Sequence, residues 1–163
     1  MTQRTPTTFA RTLLLTGLVA GLMDGTAASI QYVAKTGNSP DRVFSYVASA
    51  LFAPDTFGAT MTVVVGILMH LSIAMGWATL FFLVAPRVAL LRAAPLIVGP
   101  IYGVFVWAMM NRVLVPFTRI GPPKSFNVSA AAQAAAILVV CIGIPVAFGF
   151  RALARNNTEA LAT

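Results

Sequence analysis

Four long apolar stretches constrain the fold of this chain more than any other feature. They cover approximately residues 12–34, 59–85, 94–117 and 127–150, and more polar linkers separate them. Each contains about 20 or more predominantly apolar residues, the length that a helix needs to cross the hydrocarbon core of a bilayer. Because hydrocarbon offers no hydrogen-bond partners, each stretch must pair its backbone groups within its own helix. We therefore predict an all-α membrane protein built as a four-transmembrane-helix bundle.

The charge content is typical of a protein surrounded by lipid. Hydrophobic residues make up 58% of the chain and charged residues only 9%, whereas soluble domains average about 25% charged residues. The net charge of +7 does not indicate nucleic-acid binding, because the basic residues form no patch or stripe. They stand singly or in pairs between the apolar stretches, as in loops that face anionic headgroups. We expect membrane lipids as partners and no nucleic acid.

The linker between the first two spans has a helical pattern of its own, over about residues 40–52. Ser39, Pro40 and Asp41 are typical of a helix start. Apolar side chains then recur at helical spacing at Val43, Phe44, Val47 and Leu51. This segment is too short to span a bilayer, so we predict an amphipathic helix that is interfacial or re-entrant.

The ends of the spans carry recognisable signals. Asp55 or Thr56 is expected to cap the second span, Pro95 suits the first turn of the third, and Ser125 or Asn127 is expected to cap the fourth. We predict one integral membrane domain over residues 1–155 and a flexible C-terminal tail over residues 156–163.

Two prolines inside the spans predict bends. Pro100 lies early in the third span and Pro145 near the end of the fourth. Proline lacks the amide proton that the helix would use, so Pro100 can kink the third span where neighbouring groups satisfy the freed carbonyl. Pro145 should bend the fourth span.

The beginning of the chain has some features of a secretory signal. Arg4 and Arg11 precede the apolar stretch, and residues 27–29 (Ala-Ala-Ser) have the small side chains of a cleavage site. Asp24 interrupts the approach to that site, however, and apolar character resumes beyond it through Val33. We therefore predict an uncleaved first span.

The distribution of Lys and Arg predicts the orientation. With both termini in the cytoplasm, six basic residues lie inside and four outside, or five if Arg112 reaches the outer surface. This excess favours an N-in, C-in topology, and we expect the protein in a bacterial inner membrane.

Asp24 is the only acidic residue within the four apolar stretches. A carboxylate at the centre of a bilayer costs about 2.5–3.5 kcal/mol on insertion scales, so such a residue is hidden against protein or has a function. Gly17 and Gly21 share its helical face and Gly25 lies beside it, and small residues at this spacing let another helix approach closely. Asp24 is either hydrogen-bonded within a packing face or lines a cavity, where it would bind a proton, a cation or a polar headgroup.

His70, the only histidine, lies on the second span with Gly66 one turn away on the same face. Counted from the outer ends of the helices, Asp24 is about 15 Å deep and His70 about 16 Å deep at 1.5 Å per residue. Adjacent helices would therefore allow the two to pair. The pair would be a structural hydrogen bond or a proton relay, because histidine titrates near neutral pH.

Three further polar residues complete the candidate intramembrane site. Arg112 is expected to extend to the headgroups rather than to reach Asp24, while Asn111 and Gln133 are expected to face each other and hold two helices together.

Cys141 is the only cysteine and allows no internal disulfide. We find no catalytic motif and predict no catalytic, cofactor-binding or metal-binding residues.

Three stretches of the chain resemble a known group of proteins. They are Gly17 to Asp24 (GLVAGLMD), His70 to Trp77 (HLSIAMGW) and Pro116 to Pro123 (PFTRIGPP). They resemble the bacterial inner-membrane proteins of the YagU-like kind, although Asp24 is not a feature of that group. The resemblance implies a small bacterial inner-membrane protein and brings no catalytic residues with it.

Three hypotheses for the function follow. The first is a structural or accessory membrane protein that binds lipid or another membrane protein. The second is a small proton-coupled transporter that acts through Asp24, with His70, as a homo-oligomer. The third is a membrane-embedded enzyme subunit that acts on a lipid or quinone, with Asp24 and His70 as acid and base.

Overall fold

A computed structural model describes residues 6–88, 91, 94–123 and 125–159, and over these residues the chain folds into helices and no strand. In chain order the helices are α1 (Pro6–Thr36), α2 (Asp41–Ser49), α3 (Ala59–Val84), α4 (Pro95–Ala108), α5 (Val128–Leu138) and α6 (Ile144–Glu159). A π-helical turn (Met109–Leu114) and a 3-10 turn (Val115–Phe117) continue α4, and a second π-helical turn (Val139–Gly143) joins α5 to α6. The all-α architecture predicted from the sequence is confirmed.

Within the described residues, four helical segments are long and apolar enough to cross a membrane. Four such segments indicate a small multi-pass membrane protein. They cover Thr8–Thr36, Ala59–Val84, Pro95–Phe117 and Val128–Arg155. The first and fourth extend beyond the apolar stretches, because a helix continues past the hydrocarbon wherever its residues favour it. α6 runs to Glu159, into the tail that we expected to be flexible, and residues 160–163 of that tail lie outside the described residues.

The ends of the helices follow local signals with one exception. Pro95 occupies the first turn of α4 as predicted, and the Asn127 side chain caps α5 by accepting a hydrogen bond from the Ala130 amide at 3.0 Å. The predicted cap of α3 by Asp55 or Thr56 is wrong. The chain makes turns there, with the Thr56 amide bonded to the Ala53 carbonyl, and α3 starts only after Gly58.

The core of the bundle lies where α3, α4 and α6 meet, with α1 against it. The Phe81 ring packs edge-on against the rings of Tyr102, at 4.8 Å between centroids, and Phe150, at 5.8 Å. The Tyr102 hydroxyl donates a hydrogen bond of 2.6 Å to the Trp77 carbonyl, so this buried polar group links α4 to α3. Such a bond satisfies a group that would otherwise be expensive to bury.

Each π-helical turn ends two residues before a proline. Pro116 follows the turn that continues α4, and Pro145 follows the turn between α5 and α6. Proline offers no amide to the carbonyl four residues earlier and its ring crowds that carbonyl, which favours a wider turn. A π-helical turn therefore lies beside Pro145, where a bend is predicted, whereas Pro100 lies within the regular α-helix α4.

Close backbone packing holds α4 to the second π-helical turn. Gly99 and Gly103, four residues apart on α4, face Gly143. A Cβ atom on Gly143 would lie 2.8 Å from the Gly103 amide nitrogen and would overlap the Gly99 carbonyl oxygen. Only glycine permits this approach, which is the small-residue packing that membrane helices use.

Helix α2 folds back onto the bundle instead of crossing the membrane. Gly37 follows the last residue of α1 and terminates the helix. It has a φ of +69°, a left-handed conformation that favours glycine, and its amide donates to the Val33 carbonyl. α2 then packs mainly against α3. Its backbone at Phe44 lies directly on Gly66, where a Cβ atom would overlap the Phe44 carbonyl oxygen.

Candidate functional site

The glycine face of α1 packs against α3. A Cβ atom on Gly17 would lie 2.7 Å from the Met75 sulfur, and one on Gly21 would lie 3.0 Å from the Ala74 Cβ atom. One turn further along, a Cβ atom on Gly25 would lie 3.1 Å from a ring nitrogen of an α3 side chain, that of His70. Each glycine therefore leaves room for an α3 side chain, and the space beside Gly25 takes the imidazole.

Asp24 and His70 meet at this interface. The His70 Nε2 atom lies 3.7 Å from the Asp24 Oδ2 atom and 3.0 Å from the Gly21 carbonyl oxygen. A carbonyl oxygen can only accept, so Nε2 carries the hydrogen and donates it to Gly21. The carboxylate oxygen is then an electrostatic neighbour rather than the primary hydrogen-bond partner.

The Asp24–His70 pair is neither fully buried nor open. About 15% of the His70 side chain and 16% of the Asp24 side chain remain exposed. From α2, the Phe44 ring packs edge-on against the imidazole with the ring centroids 5.9 Å apart. His70 is therefore held by α1 through a hydrogen bond and covered by α2 through an aromatic contact.

A groove with a volume of about 560 Å³ opens beside this pair, between α1, α2 and α3. We call it the α1–α2–α3 groove. Its walls are mostly apolar, and His70 is the only ionisable residue that lines it among the described residues. Apolar side chains from α1 and α3, together with Pro40 and Phe44, form the walls; those from the two long helices include Leu22, Ile30, Val33, Ile67 and Leu71.

Asn111, Arg112 and Gln133, the other polar residues of the predicted site, make their contacts with residues other than Asp24 and His70. The expected contact between Asn111 and Gln133 is wrong. Asn111 lies in the first π-helical turn, and its side-chain amide donates to the Trp107 carbonyl at 2.9 Å. It therefore bonds to its own helix. The Gln133 side chain instead accepts a hydrogen bond of 3.4 Å from Gln31 on α1.

Arg112 contacts an aromatic ring. Its guanidinium carbon lies 4.4 Å from the centroid of the Phe126 ring, a cation–π distance. Phe126 belongs to the linker before α5, so Arg112 extends toward the end of the bundle rather than along the helices toward Asp24.

Four residues with a structural role are not identified by the sequence patterns. The amphipathic pattern places Phe44 on the apolar face of a short interfacial helix, where an aromatic residue is suited to cover a polar residue beneath it, but does not identify His70 as that residue. Gly99 and Gly103 carry a readable signal, two glycines four residues apart in an apolar span. No pattern in the sequence pointed to Gln31 as the partner of Gln133.

The chemical content of the site is limited. Over the part of the chain that the structure describes, no group of three or more His, Cys, Asp or Glu side chains lies close enough together to hold a metal ion. Cys141 is buried on the fourth span as a free thiol. The site thus offers one carboxylate, one imidazole and an apolar groove.

The YagU-like resemblance stays a prediction. Comparison of the chain with models of known protein families, with curated proteins and with solved structures gave no match.

Proposed function

We propose that this protein is a structural or accessory membrane protein that binds a membrane lipid and holds one acyl chain in the α1–α2–α3 groove. The observation that carries the proposal is the groove itself, an apolar and partly open cavity of about 560 Å³ along two membrane-spanning helices. We place its open side against hydrocarbon rather than water, because both long helices are candidate membrane spans. An acyl chain is the ligand that such an environment supplies.

The length of the groove supports the same ligand. Its lining on α1 extends from Gly21 to Ala34, which is about 20 Å at 1.5 Å per residue. One leaflet contributes about 15 Å, half of the hydrocarbon core. The groove is therefore long enough to hold an acyl chain of one leaflet along its length.

The polarity of the groove favours a lipid tail over an ion or a polar substrate. The lining residues are mainly apolar, and His70 at the foot already donates to Gly21. A desolvated ion would find few partners there, and burying it without partners is costly. An acyl chain needs none, and it would cover the exposed part of His70, the member of the pair that lines the groove.

Substitutions that fill the groove test the proposal. Ser29 lines the groove on α1, so Ser29→Trp is expected to occupy the space of the acyl chain. Ser72→Trp is the matched control, because Ser72 lies exposed on α3 and lines neither described cavity. Native mass spectrometry of protein released from phospholipid nanodiscs should show a bound phospholipid for the wild type and Ser72→Trp. The bound fraction should fall several-fold in Ser29→Trp.

Equal retention of phospholipid by the three proteins would overturn the proposal. So would the absence of any retained phospholipid from the wild type. A thermal unfolding measurement on each variant confirms that the Trp residue has not unfolded the bundle.

The Asp24–His70 contact supports a second candidate, proton-coupled transport through an oligomer. A carboxylate and an imidazole 3.7 Å apart, each about one-sixth exposed within spans, form a pair that is able to exchange a proton. In proteoliposomes with an imposed proton gradient, Asp24→Asn should abolish cation flux. Asp41→Asn should retain it, because Asp41 lies outside the spans. The absence of proton-linked flux for every tested cation, or unchanged flux in Asp24→Asn, would exclude this candidate.

We also propose a bacterial inner-membrane location with both termini in the cytoplasm. The excess of Lys and Arg on that side and the YagU-like resemblance support it. A reporter fused to the C-terminus that is active only in the cytoplasm should be active, and an inactive, membrane-inserted fusion would contradict the topology.

A further inference from the structure

A second cavity, of about 900 Å³, lies between other faces of α1, α2 and α3. The α1 residues that line it, from Ala28 to Thr36, are different from those that line the α1–α2–α3 groove. It lies toward the membrane surface, because Lys35 on its rim is 11 residues beyond Asp24, or about 16 Å along the helix. That distance is close to the half-thickness of the hydrocarbon core, about 15 Å. We call this second space the interfacial cavity.

Two cations line the interfacial cavity, and neither has an acidic partner among the residues that the structure describes. Lys35 belongs to the last turn of α1 and Arg42 to the first turn of α2, and both side chains are exposed. Over the described ranges of the chain, the only ion pair is the one between His70 and Asp24. Lys35 and Arg42 therefore present two unpaired positive charges to one space.

The cavity contains one carboxylate, which does not cancel these charges. Asp41 lines it and accepts a hydrogen bond from the Ser39 hydroxyl. The formal charge of the lining is therefore +1, and the carboxylate is already engaged by a neighbour in its own turn.

The remaining lining suits an amphiphile. Tyr32 and Tyr46 contribute phenol groups, and tyrosine is enriched where membranes meet water. The lining also includes apolar residues, among them Ala28, Val43 and Phe52, and neutral polar residues such as Gln31 and Ser45. A ligand with an anionic end and an apolar end matches a lining that combines two cations with apolar side chains.

We infer that the interfacial cavity binds the headgroup of an anionic phospholipid, with its phosphate between Lys35 and Arg42. The phosphodiester provides the oxygen acceptors that ammonium and guanidinium groups bind. A zwitterionic lipid such as phosphatidylcholine carries the same phosphate but adds a quaternary ammonium group, which the two cations repel. The site therefore selects for headgroup charge. This site is separate from the α1–α2–α3 groove. The assignment of a headgroup to the interfacial cavity and that of an acyl chain to the groove can therefore fail independently.

Binding of short-chain lipids to the purified protein in detergent tests the inference. The probes are dioctanoyl phosphatidylglycerol, dioctanoyl phosphatidylcholine and inorganic phosphate, and the readout is the Kd from titration of intrinsic fluorescence. Phosphatidylglycerol should bind more tightly than phosphatidylcholine. Replacement of both cations, in Lys35→Gln with Arg42→Gln, should raise the Kd for phosphatidylglycerol about 30-fold, because each cation near a lipid surface contributes about a fivefold change.

Two matched variants separate the site from general charge effects. Arg151→Gln with Arg155→Gln removes the same charge from α6 at the other end of the bundle, and the preference for phosphatidylglycerol should survive. Exchanging the cations, in Lys35→Arg with Arg42→Lys, should also preserve it. Both pairs of side chains are exposed, so all variants should fold, and their thermal unfolding without lipid checks this.

Three results would overturn the inference. They are equal affinity of the wild type for the two lipids, unchanged affinity in the Lys35/Arg42 double variant, and an equal loss in the Arg151/Arg155 double variant. If inorganic phosphate binds as tightly as phosphatidylglycerol, the site is a phosphate site and the assignment to a lipid headgroup is wrong.

Discussion

The substitution Gly66→Ala tests how firmly α2 is seated on α3. A Cβ atom on Gly66 would lie 2.5 Å from the Phe44 carbonyl carbon and 3.0 Å from the Phe44 Cα atom, and would overlap the carbonyl oxygen. These are backbone atoms, so no side-chain rotation relieves the clash. The carbonyl carbon has to move by at least about 0.9 Å to reach an ordinary contact distance, and the overlapping oxygen has to move further, so the α2 backbone must shift.

The expected loss of stability follows from this displacement. Overpacking of a close contact costs about 1–3 kcal/mol. Alanine also favours a helix over glycine by up to about 1 kcal/mol, which partly hides the cost when Gly66→Ala is compared with the wild type. Gly76→Ala on the same helix removes this ambiguity, because a Cβ atom on Gly76 would meet nothing within 4 Å. The helix-propensity gain is similar in both variants, so their difference isolates the α2 contact.

Thermal unfolding in detergent measures that difference. For a chain of this length, 1 kcal/mol corresponds to about 2–4 °C in Tm, so Gly66→Ala should unfold about 2–12 °C below Gly76→Ala. Equal Tm values for the two variants would refute the close packing of the α2 backbone against Gly66. Because α2 walls both cavities, Gly66→Ala should also weaken lipid binding, whereas Gly76→Ala should not.

Three further experiments test single contacts by thermal or chemical unfolding. A double-mutant cycle of Asp24→Ala and His70→Ala should give a coupling energy of about 0.5–2 kcal/mol, as for polar pairs within membranes, and additive effects would contradict their contact. Tyr102→Phe removes the hydrogen bond to the Trp77 carbonyl and should cost about 0.5–1.5 kcal/mol; no change in stability would show that the bond contributes nothing. Asn127→Ala should cost about 0.5–2 kcal/mol through loss of the helix cap, whereas Asn127→Asp should retain most of the stability.

The sequence predicted the elements of the fold well because the membrane imposes their length and type. Apolar stretches of about 20 residues leave the backbone no alternative to a helix. The proline at the start of α4 and the Asn127 cap followed from local chemistry. Counting residues from the helix ends also gave similar depths for Asp24 and His70, whose side-chain atoms lie 3.7 Å apart.

The lateral arrangement of the helices was harder to predict. In lipid, apolar residues face both outward and inward, so hydropathy does not show which faces meet. Asn111 and Gln133 were matched by depth alone, yet Gln133 lies beside Gln31 on another helix and Asn111 bonds to its own helix.

The position of α2 could not be predicted from the sequence either. An amphipathic pattern indicates that a helix lies at an interface, but it does not indicate which helix lies beneath it. The contact depends on a single glycine, Gly66, whose missing side chain admits the Phe44 backbone. Residues of α2 line both cavities, so neither cavity was predictable from the apolar pattern alone.

The central claim, that an acyl chain lies in the α1–α2–α3 groove, is tested most directly by depth-resolved photocross-linking. Two phospholipids would carry a diazirine either near the glycerol or at the end of the acyl chain, and the labelled residues would be mapped by mass spectrometry. The first probe should label the top of the groove near Ala34 and Pro40. The second should label its foot near Gly21, His70 and Leu71. Labelling spread over all four spans at each depth, with no preference for the groove, would contradict the account.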